Sequence, residues 1–177
     1  ASVERALLEL LPDRPGWEHL DIGTGTGRIL KIISPKAKRA VGIDRSLEML
    51  TVARSTLAGP EFANCSVRHG DMQQLPLDDA SFDVVTFHLV LHYAERPELV
   101  LSEATRPLRP GGKVIVVDFA PHDESHLRIE HAHRWLGFSD NEMHNWFANA
   151  GLVPEDTIHL AGNPLTVSLW SATKPGN

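Results

Sequence analysis

Short strand patterns alternate with helical patterns along most of this chain. The segment at 113–119, KVIVVDF, contains four consecutive aliphatic residues, as expected of a central strand that is buried on both faces. Alternation of strands and helices is typical of a parallel sheet covered by helices on both sides. We therefore predict an α/β fold. The predicted strands are 17–22, 39–43, 62–68, 82–87, 113–119, 153–160 and 166–172, and the predicted helices are 2–11, 27–34, 46–57, 97–108 and 139–150.

The whole chain, 1–177, is predicted to form a single domain. Its 177 residues can enclose one core, and a content of 42% hydrophobic and 23% charged residues is typical of folded globular proteins. Residues 122–138 do not follow the alternating pattern, and we interpret them as an insertion on the substrate side. Because the chain starts with Ala-Ser inside a helical pattern, we expect it to be a piece of a longer protein.

Charge and cysteine content argue against several classes of partner. A net charge of -6 without a basic cluster argues against direct contact with nucleic acid, because such binding depends on Lys and Arg. The longest apolar runs are shorter than the roughly 20 residues of a membrane-spanning helix, so no membrane contact is expected. Cys65 is the single cysteine and no signal segment opens the chain, which favours the cytoplasm. We expect Cys65 to be a buried apolar residue of the third strand.

The turn after the first predicted strand contains three glycines, Gly23, Gly25 and Gly27. Glycines at this point allow positive φ angles and let a ligand approach the backbone without meeting a Cβ atom. The spacing Gly-x-Gly-x-Gly differs from the Gly-x-Gly-x-x-Gly of dinucleotide sites, since the third glycine comes one residue early. A ligand-binding loop and a plain glycine-rich turn are both compatible with this motif alone.

Acidic residues follow the next two predicted strands. Asp44 ends the second strand, about 20 residues after the glycine loop, where a carboxylate can accept hydrogen bonds from both hydroxyls of a ribose. It could also cap the following helix, a role that Ser46 could fill instead. Asp71 and Met72 follow the third strand, where a carboxylate can accept from an exocyclic amine and an apolar side chain can cover a purine. This pattern favours an adenosine-containing ligand.

Five motifs of this sequence occur in an order that resembles a known superfamily. They are Asp-x-Gly-x-Gly-x-Gly at 21–27, Asp44, Gly70-Asp71, Ser81-Phe82-Asp83-Val84-Val85 and Leu108-Arg109-Pro110-Gly111-Gly112. Together they resemble the class I S-adenosylmethionine (SAM)-dependent methyltransferases, over nearly the whole chain. The resemblance implies a Rossmann-like three-layer sandwich with a mostly parallel seven-stranded sheet and an antiparallel last strand. It also implies SAM as cofactor and S-adenosylhomocysteine as product.

The same resemblance implies which residues bind the cofactor. Asp21 and the loop Gly23–Gly27 would border the methionine part, Asp44 the ribose, and Asp71 with Met72 the adenine. His88 would face the methyl-transfer pocket. The full predicted set is Asp21, Gly23, Thr24, Gly25, Gly27, Asp44, Arg45, Met49, Gly70, Asp71, Met72 and His88.

Three segments resemble a narrower group, the methyltransferase domain that follows an ArsR-type winged-helix regulator in bacterial proteins. They are 117–123, 130–140 and 164–170. An amino-terminal DNA-binding domain would then precede this chain in the full protein. An arsenic acceptor is nevertheless disfavoured, because its binding requires several thiols and this sequence has one.

His88 and His92 are the candidate catalytic bases, because histidine changes protonation near neutral pH and both follow a strand on the ligand side. A structural role remains open for each and is favoured for His92. Tyr93, Glu130, His131 and Arg134 are the candidate contacts to a small-molecule methyl acceptor. No metal site is predicted: His126, Glu130 and Arg134 share a helical spacing, but no set of three or four ligands can be assigned.

Three functions are compatible with these patterns. The first is a small-molecule methyltransferase, and the second is a module that senses SAM or S-adenosylhomocysteine for an attached regulator without turnover. An NAD-dependent oxidoreductase is the third, although it requires the later glycine that this sequence lacks. A homodimer is left open as an assembly.

Overall fold

The structure is a computed structural model that describes residues 2–126, 134–162 and 164–176. Within these residues, helices and strands alternate as the sequence predicts. The helices are α1 (Ser2–Glu9), α2 (Arg28–Ile33), α3 (Leu47–Thr56), α4 (Pro97–Ala104) and α5 (Asp140–Asn149). The strands are β1 (Glu18–Ile22), β2 (Arg39–Asp44), β3 (Cys65–His69), β4 (Phe82–His88), β5 (Leu108–Phe119), β6 (Val153–Pro154), β7 (Ile158–Leu160) and β8 (Val167–Thr173).

All strands belong to one sheet, in the order β3-β2-β1-β4-β5-β8-β6, with β7 also paired to β8. The five strands from β1 to β5 pair in parallel, whereas β8 runs antiparallel to β5. The short strands β6 and β7 pair with different parts of β8 and so share one position in the sheet. The predicted seven-stranded arrangement with an antiparallel last strand is therefore confirmed.

Helices cover both faces of the sheet, which confirms the three-layer prediction. On one face, α1 and α2 pack Leu7 and Ile33 against Val84 and Ile115 of the central strands. On the other face, α4 and α5 bury Leu101, Phe147 and neighbouring residues against Val85, Val116 and Trp170. Residues 114–118 of β5 are buried throughout, as expected of a strand enclosed on both sides.

Several predicted boundaries were wrong, including the start of the fifth strand, which lies at Leu108 rather than Lys113. The third strand begins at Cys65 rather than Phe62, because Pro60–Phe62 forms a 3-10 turn instead, and Cys65 is half-buried rather than buried. Helix α4 ends at Ala104 rather than Leu108, since Pro107 lacks an N–H and restricts the residue before it. The predicted turn at 109–112 lies within β5, where the pairing with β4 shifts register between Phe82 and Val84.

Two predicted helix caps can be compared directly with the structure. The Ser46 hydroxyl accepts the Met49 N–H at 3.2 Å, so Ser46 rather than Asp44 is the N-cap of α3. Ser139 and Glu142 form the predicted capping box at the start of α5. No helix in the described part of the chain is both long and apolar enough to cross a bilayer.

The described ends of the predicted insertion are bound to the body of the domain. The N–H of His122 donates to the Leu136 carbonyl at 3.1 Å, and the N–H of Phe138 donates to the Phe119 carbonyl at 2.9 Å. Gly137 has a φ of +84°, and a Cβ there would lie 2.1 Å from the Ala120 carbonyl oxygen. The two ends of the segment are thus held side by side just beyond β5.

Candidate functional site

A cavity of about 390 Å³ opens at the carboxyl ends of β1 to β4. This is where the order of the strands reverses, since β1 lies between β2 and β4, and open α/β sheets bind their ligands at such points. Eight of its lining residues were predicted from the sequence: Gly23, Gly25, Asp44, Arg45, Met49, Gly70, Met72 and Tyr93. Five more were not: Ile22, Ile43, Ser46, Leu89 and Val90.

The glycine loop forms one wall of the cavity. Gly23, Gly25 and Gly27 all have positive φ angles, between +56° and +84°, a region that other residues enter only with strain. A Cβ on Gly23 would lie 2.3 Å from the Val90 side chain, whereas a Cβ on Gly25 would meet nothing within 4 Å. Gly23 therefore packs against the protein, and Gly25 leaves open space beside the cavity. Gly27 and Thr24 lie outside the lining.

Asp44 connects this loop to the start of α3. One carboxylate oxygen accepts the Gly25 N–H and the other accepts the Ser46 N–H, at 2.8 Å and 2.9 Å. Each oxygen keeps a second lone pair, so the carboxylate can still accept hydrogen bonds from a ligand in the cavity. A role in ordering the loop and a role in binding a ribose are therefore compatible.

The residues after β3 separate into two groups. Gly70 and Met72 line the cavity, and a Cβ on Gly70 would lie 2.8 Å from the ring of Pro76. Asp71 is exposed and outside the lining, and its carboxylate accepts the N–H of Gln73 at 2.8 Å. The structure thus brings Met72, but not the Asp71 carboxylate, to the cavity wall.

Asp21 is buried beneath the glycine loop rather than in the cavity lining. The Thr86 hydroxyl donates to its carboxylate at 2.6 Å and lies 2.8 Å from Nε2 of His19. Burial raises the pKa of Asp21 to about 6, although the hydrogen bond from Thr86 acts in the opposite direction. Burial also lowers the pKa of His19 to about 3, so its ring is neutral. Sequence patterns did not identify Thr86 or His19, because Thr86 of β4 connects the two β1 residues His19 and Asp21 only when the strands are paired.

His88, predicted as a cofactor contact and a base, does not line the cavity. It ends β4 on the face that carries Val84 and Thr86, beneath α1 and α2, because side chains alternate along a strand. Burial, followed by the nearby Arg28 guanidinium, lowers the pKa of the His88 imidazole. The ring is therefore neutral at pH 7 and faces the helical layer.

His92 is buried in a 3-10 turn, Leu91–Tyr93, just after β4. Its Nδ1 lies 2.7 Å from the carboxylate of Asp118, a residue of β5 that is fully buried. The sequence analysis did not single out Asp118, and a carboxyl group in an otherwise aliphatic central strand could have identified it. His92 lies between two lining residues in sequence, Val90 and Tyr93, but is not itself in the lining.

The predicted acceptor contacts are only partly within the described residues. Tyr93 lines the cavity and is 41% exposed, and burial together with the Asp118 charge raises the pKa of its hydroxyl. Arg134 is exposed, and its backbone N–H donates to the His92 carbonyl at 2.9 Å. Glu130 and His131 lie outside the described residues. His126 pairs with Glu124, and the described ranges contain no group of three or more metal-ligating side chains.

A mostly parallel sheet with a glycine loop after β1 and a carboxylate at the end of β2 defines an α/β protein that binds a nucleoside-containing cofactor. A protein-family model described as a methyltransferase domain matches residues 20–116. The chain belongs to this methyltransferase family, and the predicted cofactor, SAM, is thereby confirmed. The residues fit it: Gly25 leaves room at the cavity, Asp44 supplies acceptors, and Met49 and Met72 supply apolar surface.

Individual relatives agree with this assignment. The malonyl-[acyl-carrier protein] O-methyltransferase of Marinomonas sp. is 30% identical over 175 residues, covering 95% of this chain and 63% of the relative. The arsenite methyltransferase of Aquipseudomonas alcaligenes is 36% identical over 180 residues, covering 89% and 51%. The solved structure of the YcgJ protein of Bacillus subtilis has the same fold, with a TM-score of 0.86, 19% identity and 99% coverage of each chain. The chain spans about half the length of the curated relatives it matches.

Proposed function

We propose that this chain transfers a methyl group from SAM to a small-molecule acceptor. The observation that carries the proposal is the cavity at the carboxyl ends of β1 to β4, where the glycine loop, Asp44, Met72 and Tyr93 come together. The described ends of the insertion meet the protein at His92 and Phe119, next to this cavity. A substrate could therefore enter between the cofactor and the insertion.

SAM supplies a methyl group on a positively charged sulfur, which is already reactive toward nucleophiles. The protein is left to hold the two reactants in line and to exclude water. In the proposed arrangement, Asp44 would accept hydrogen bonds from the ribose, and Met49 and Met72 would offer apolar surface to the adenine. The loop from Gly23 to Gly25 would hold the methionine part, and Tyr93 lines the same cavity.

The acceptor is proposed to be organic rather than arsenic. One relative is named an arsenite methyltransferase, but several thiols are needed to hold an arsenic centre. The sequence contains one cysteine, and Cys65 is the first residue of β3, at the opposite end of that strand from the cavity. Another relative is named a malonyl-[acyl-carrier protein] O-methyltransferase, a name with an organic acceptor, which is compatible with this choice.

Replacement of Asp44 tests the cofactor site. Asp44→Ala should weaken SAM binding by about 1 to 3 kcal/mol, the usual loss for hydrogen bonds to a charged group. Isothermal titration calorimetry with SAM measures the change. Ser139→Ala serves as the control, because it removes a helix cap far from the cavity and should leave the affinity as it is. Equal affinities of the wild-type and Asp44→Ala proteins would contradict the ribose assignment.

Transfer of a labelled methyl group distinguishes an enzyme from a sensor. The resemblance to domains that follow ArsR-type regulators supports an alternative function, a module that senses SAM without transferring its methyl group. A cytoplasmic location is compatible with either function. Incubation with SAM labelled in the methyl group and a bacterial metabolite extract should give a labelled small molecule. Tight binding of SAM without any transfer would support the sensor instead.

A further inference from the structure

Two of the three methionines of this chain lie in the wall of the cofactor cavity. Met49 and Met72 both line it, and Met49 is 44% exposed while Met72 is partly buried. Met143, in α5, is instead fully buried in the core. The methionine side chains that solvent can reach are therefore those of the cofactor site.

Hydrogen-bonded backbone fixes where each of these two methionines begins. Met49 lies in the first turn of α3, and its N–H donates to the Ser46 hydroxyl at 3.2 Å. Met72 lies in the turn after β3, where the Gln74 N–H donates to the Asp71 carbonyl at 3.1 Å. Two elements that are separate in sequence thus bring a thioether to the same cavity.

The chemistry of a thioether suits this wall as long as it is reduced. Other aliphatic side chains of the lining are Ile22, Ile43, Leu89 and Val90. A thioether is apolar and polarisable, so it adds to such a surface. Oxidation to a sulfoxide replaces it with a polar group that disrupts apolar contacts. A ligand that covers the sulfoxide would bury its oxygen against an apolar surface, which is unfavourable.

We propose that Met49 and Met72 form a redox-sensitive modification site, at which hydrogen peroxide oxidises the thioethers of the cofactor-free protein and thereby weakens SAM binding. The inference rests on the proposed function, which places SAM in this cavity. At each sulfur, one oxygen atom of the peroxide forms the S–O bond, the O–O bond breaks, and the other oxygen leaves as water. The sulfur loses two electrons and the peroxide gains them.

Occupancy of the cavity should control this reaction. SAM bound against Met49 and Met72 would cover both side chains, so oxidation should be slow in the loaded protein. Met143 is covered by the core with or without cofactor. Peroxide should therefore inactivate the protein mainly when SAM is scarce, and the protein would respond to the two conditions together.

Cys65 is the other sulfur that peroxide can attack. It is half-buried at the end of β3 away from the cavity, and burial raises the pKa of its thiol, which disfavours the reactive thiolate. The first oxidation product of a thiol, a sulfenic acid, is reduced by dithiothreitol, whereas a methionine sulfoxide is not. Treatment with dithiothreitol before each measurement therefore removes this contribution.

Peptide mass spectrometry identifies the oxidised residues. The protein is treated with hydrogen peroxide in the presence and absence of saturating SAM, and then with dithiothreitol. Without SAM, the peptides that contain Met49 and Met72 should each gain one oxygen, whereas the peptide with Met143 should not. With SAM, both gains should be slower. Equal oxidation of all three methionines, or equal rates with and without SAM, would overturn the proposal.

Calorimetry then measures how oxidation changes cofactor binding. The SAM affinity of the oxidised wild-type protein should fall roughly tenfold or more, because a buried oxygen without a hydrogen-bond partner is costly. A mixture of the two methionine sulfoxide reductases, one for each epimer, should restore it. The double variant Met49→Leu/Met72→Leu carries apolar side chains that peroxide does not oxidise, so its affinity should be the same before and after treatment. Met143→Leu is the matched control and should stay as sensitive as wild type.

The remaining outcomes bear on separate parts of the inference. Unchanged SAM affinity in a protein whose Met49 and Met72 are both oxidised would overturn it, as would equal losses in the wild-type and doubly substituted proteins. If the double variant fails to bind SAM before treatment, the reductases decide, because a loss that they do not reverse would overturn the proposal. Failure of the untreated wild-type protein to bind SAM would instead contradict the proposed function, so the two failures can be distinguished.

Discussion

Gly23 and Gly25 both have positive φ angles, yet the structure requires glycine at the two positions for different reasons. At Gly23 a Cβ would overlap Val90, a residue of the protein itself. At Gly25 a Cβ would enter open space next to the cavity, which the cofactor is expected to fill. Substitution of Gly23 should therefore destabilise the fold, whereas substitution of Gly25 should mainly weaken cofactor binding.

Alanine substitutions can separate these two reasons. Gly25→Ala should cost about 1 kcal/mol of folding stability through its positive φ and weaken SAM binding at least tenfold. Gly16→Ala is the matched control, since Gly16 has a φ of +82° with nothing within 4 Å and lies away from the cavity. Gly23→Ala should lose more stability than either, because it adds the overlap with Val90. Urea unfolding and SAM calorimetry measure the two effects, and equal SAM affinity in the Gly16 and Gly25 variants would contradict this account.

The buried set of His19, Thr86 and Asp21 should make stability depend on pH in two opposite ways. Asp21 has a folded pKa of about 6, above the ordinary value of 3.8, so its contribution to stability falls as the pH rises from about 4 to 6. His19 has a folded pKa of about 3, below the ordinary 6.5, so its contribution is present above 6.5 and is lost as the pH falls toward 3. Between pH 4 and 6 the two effects oppose each other.

Single substitutions should reveal each effect. Asp21→Asn keeps an acceptor for Thr86 but removes the buried charge, so at pH 7.5 it should be more stable than wild type by up to roughly 3 kcal/mol. Its advantage should shrink as the pH falls to 4. The stability of the His19→Gln protein relative to wild type should change in the opposite direction, because it should fall as the pH rises from 4 to 6. Urea unfolding at pH 4.5, 5.5 and 7.5 measures this, and parallel pH profiles of all three proteins would refute it.

At the scale of single residues, the sequence was most informative where a motif lies in one short segment. Gly23, Gly25 and Asp44 were predicted because the glycine spacing and the strand end are visible locally. Thr86 and Asp118 were not, since each contacts a partner in a different element, Asp21 of β1 and His92 of the 3-10 turn, 65 and 26 residues away along the chain. Distances across a sheet depend on register, which the local pattern does not contain.

Among the elements, α5 has the most complete cap. The Ser139 hydroxyl accepts the Glu142 N–H at 3.1 Å, and the Glu142 carboxylate accepts the Ser139 N–H at 3.3 Å. Asp140 then joins the helix to β8 and β7, because its two oxygens accept from Trp170 and His159 at 2.8 Å and 2.9 Å. The start of α5 is thus fixed to the antiparallel end of the sheet.

Ser139→Ala should lower the free energy of unfolding by about 1 kcal/mol, the usual cost of losing an N-cap. Thermal unfolding monitored by circular dichroism provides the measurement, and Ser102→Ala, within α4, is the comparison at a position without a capping role. A Ser139 variant as stable as the Ser102 variant would show that the capping box adds little in this context.

Elements with a regular pattern were predicted better than their boundaries. The five parallel strands and the helices between them follow from alternation alone. The late start of β3 at Cys65 and the early end of α4 at Ala104 depend on Pro60 and Pro107, whose effects the apolar periodicity concealed. The predicted strand at 153–160 consists of two short strands, β6 and β7, because the pairing with β8 is interrupted between Pro154 and Ile158.

Over the whole molecule, the parallel sheet brings residues from distant parts of the sequence to one edge. Gly23, Asp44, Gly70 and Leu89 follow or end four successive parallel strands and meet at the same cavity. Leu89 has a φ of +54°, a strained angle for a residue with a branched side chain, which is consistent with a functional turn. Ligand binding should therefore stabilise the entire domain rather than one loop.

Thermal unfolding in the presence of ligands tests whether ligand binding stabilises the entire domain. At a concentration 100 times its Kd, SAM should add about 2.7 kcal/mol to the stability and raise Tm by about 5 to 10 °C. NAD should leave Tm unchanged, since the glycine spacing does not match a dinucleotide site. A larger shift with NAD than with SAM would contradict the cofactor assignment.

The interrupted pairing of β6 and β7 with β8 affects how copies of this chain could associate. Strands of two and three residues, one of which contains Pro154, offer another chain few aligned N–H and C=O groups. A second molecule cannot readily extend the sheet there by adding its own strand. If the protein forms a homodimer, we expect the helical faces rather than this edge to make the contact. Aggregation by strand pairing between molecules should likewise not begin at this end of the domain.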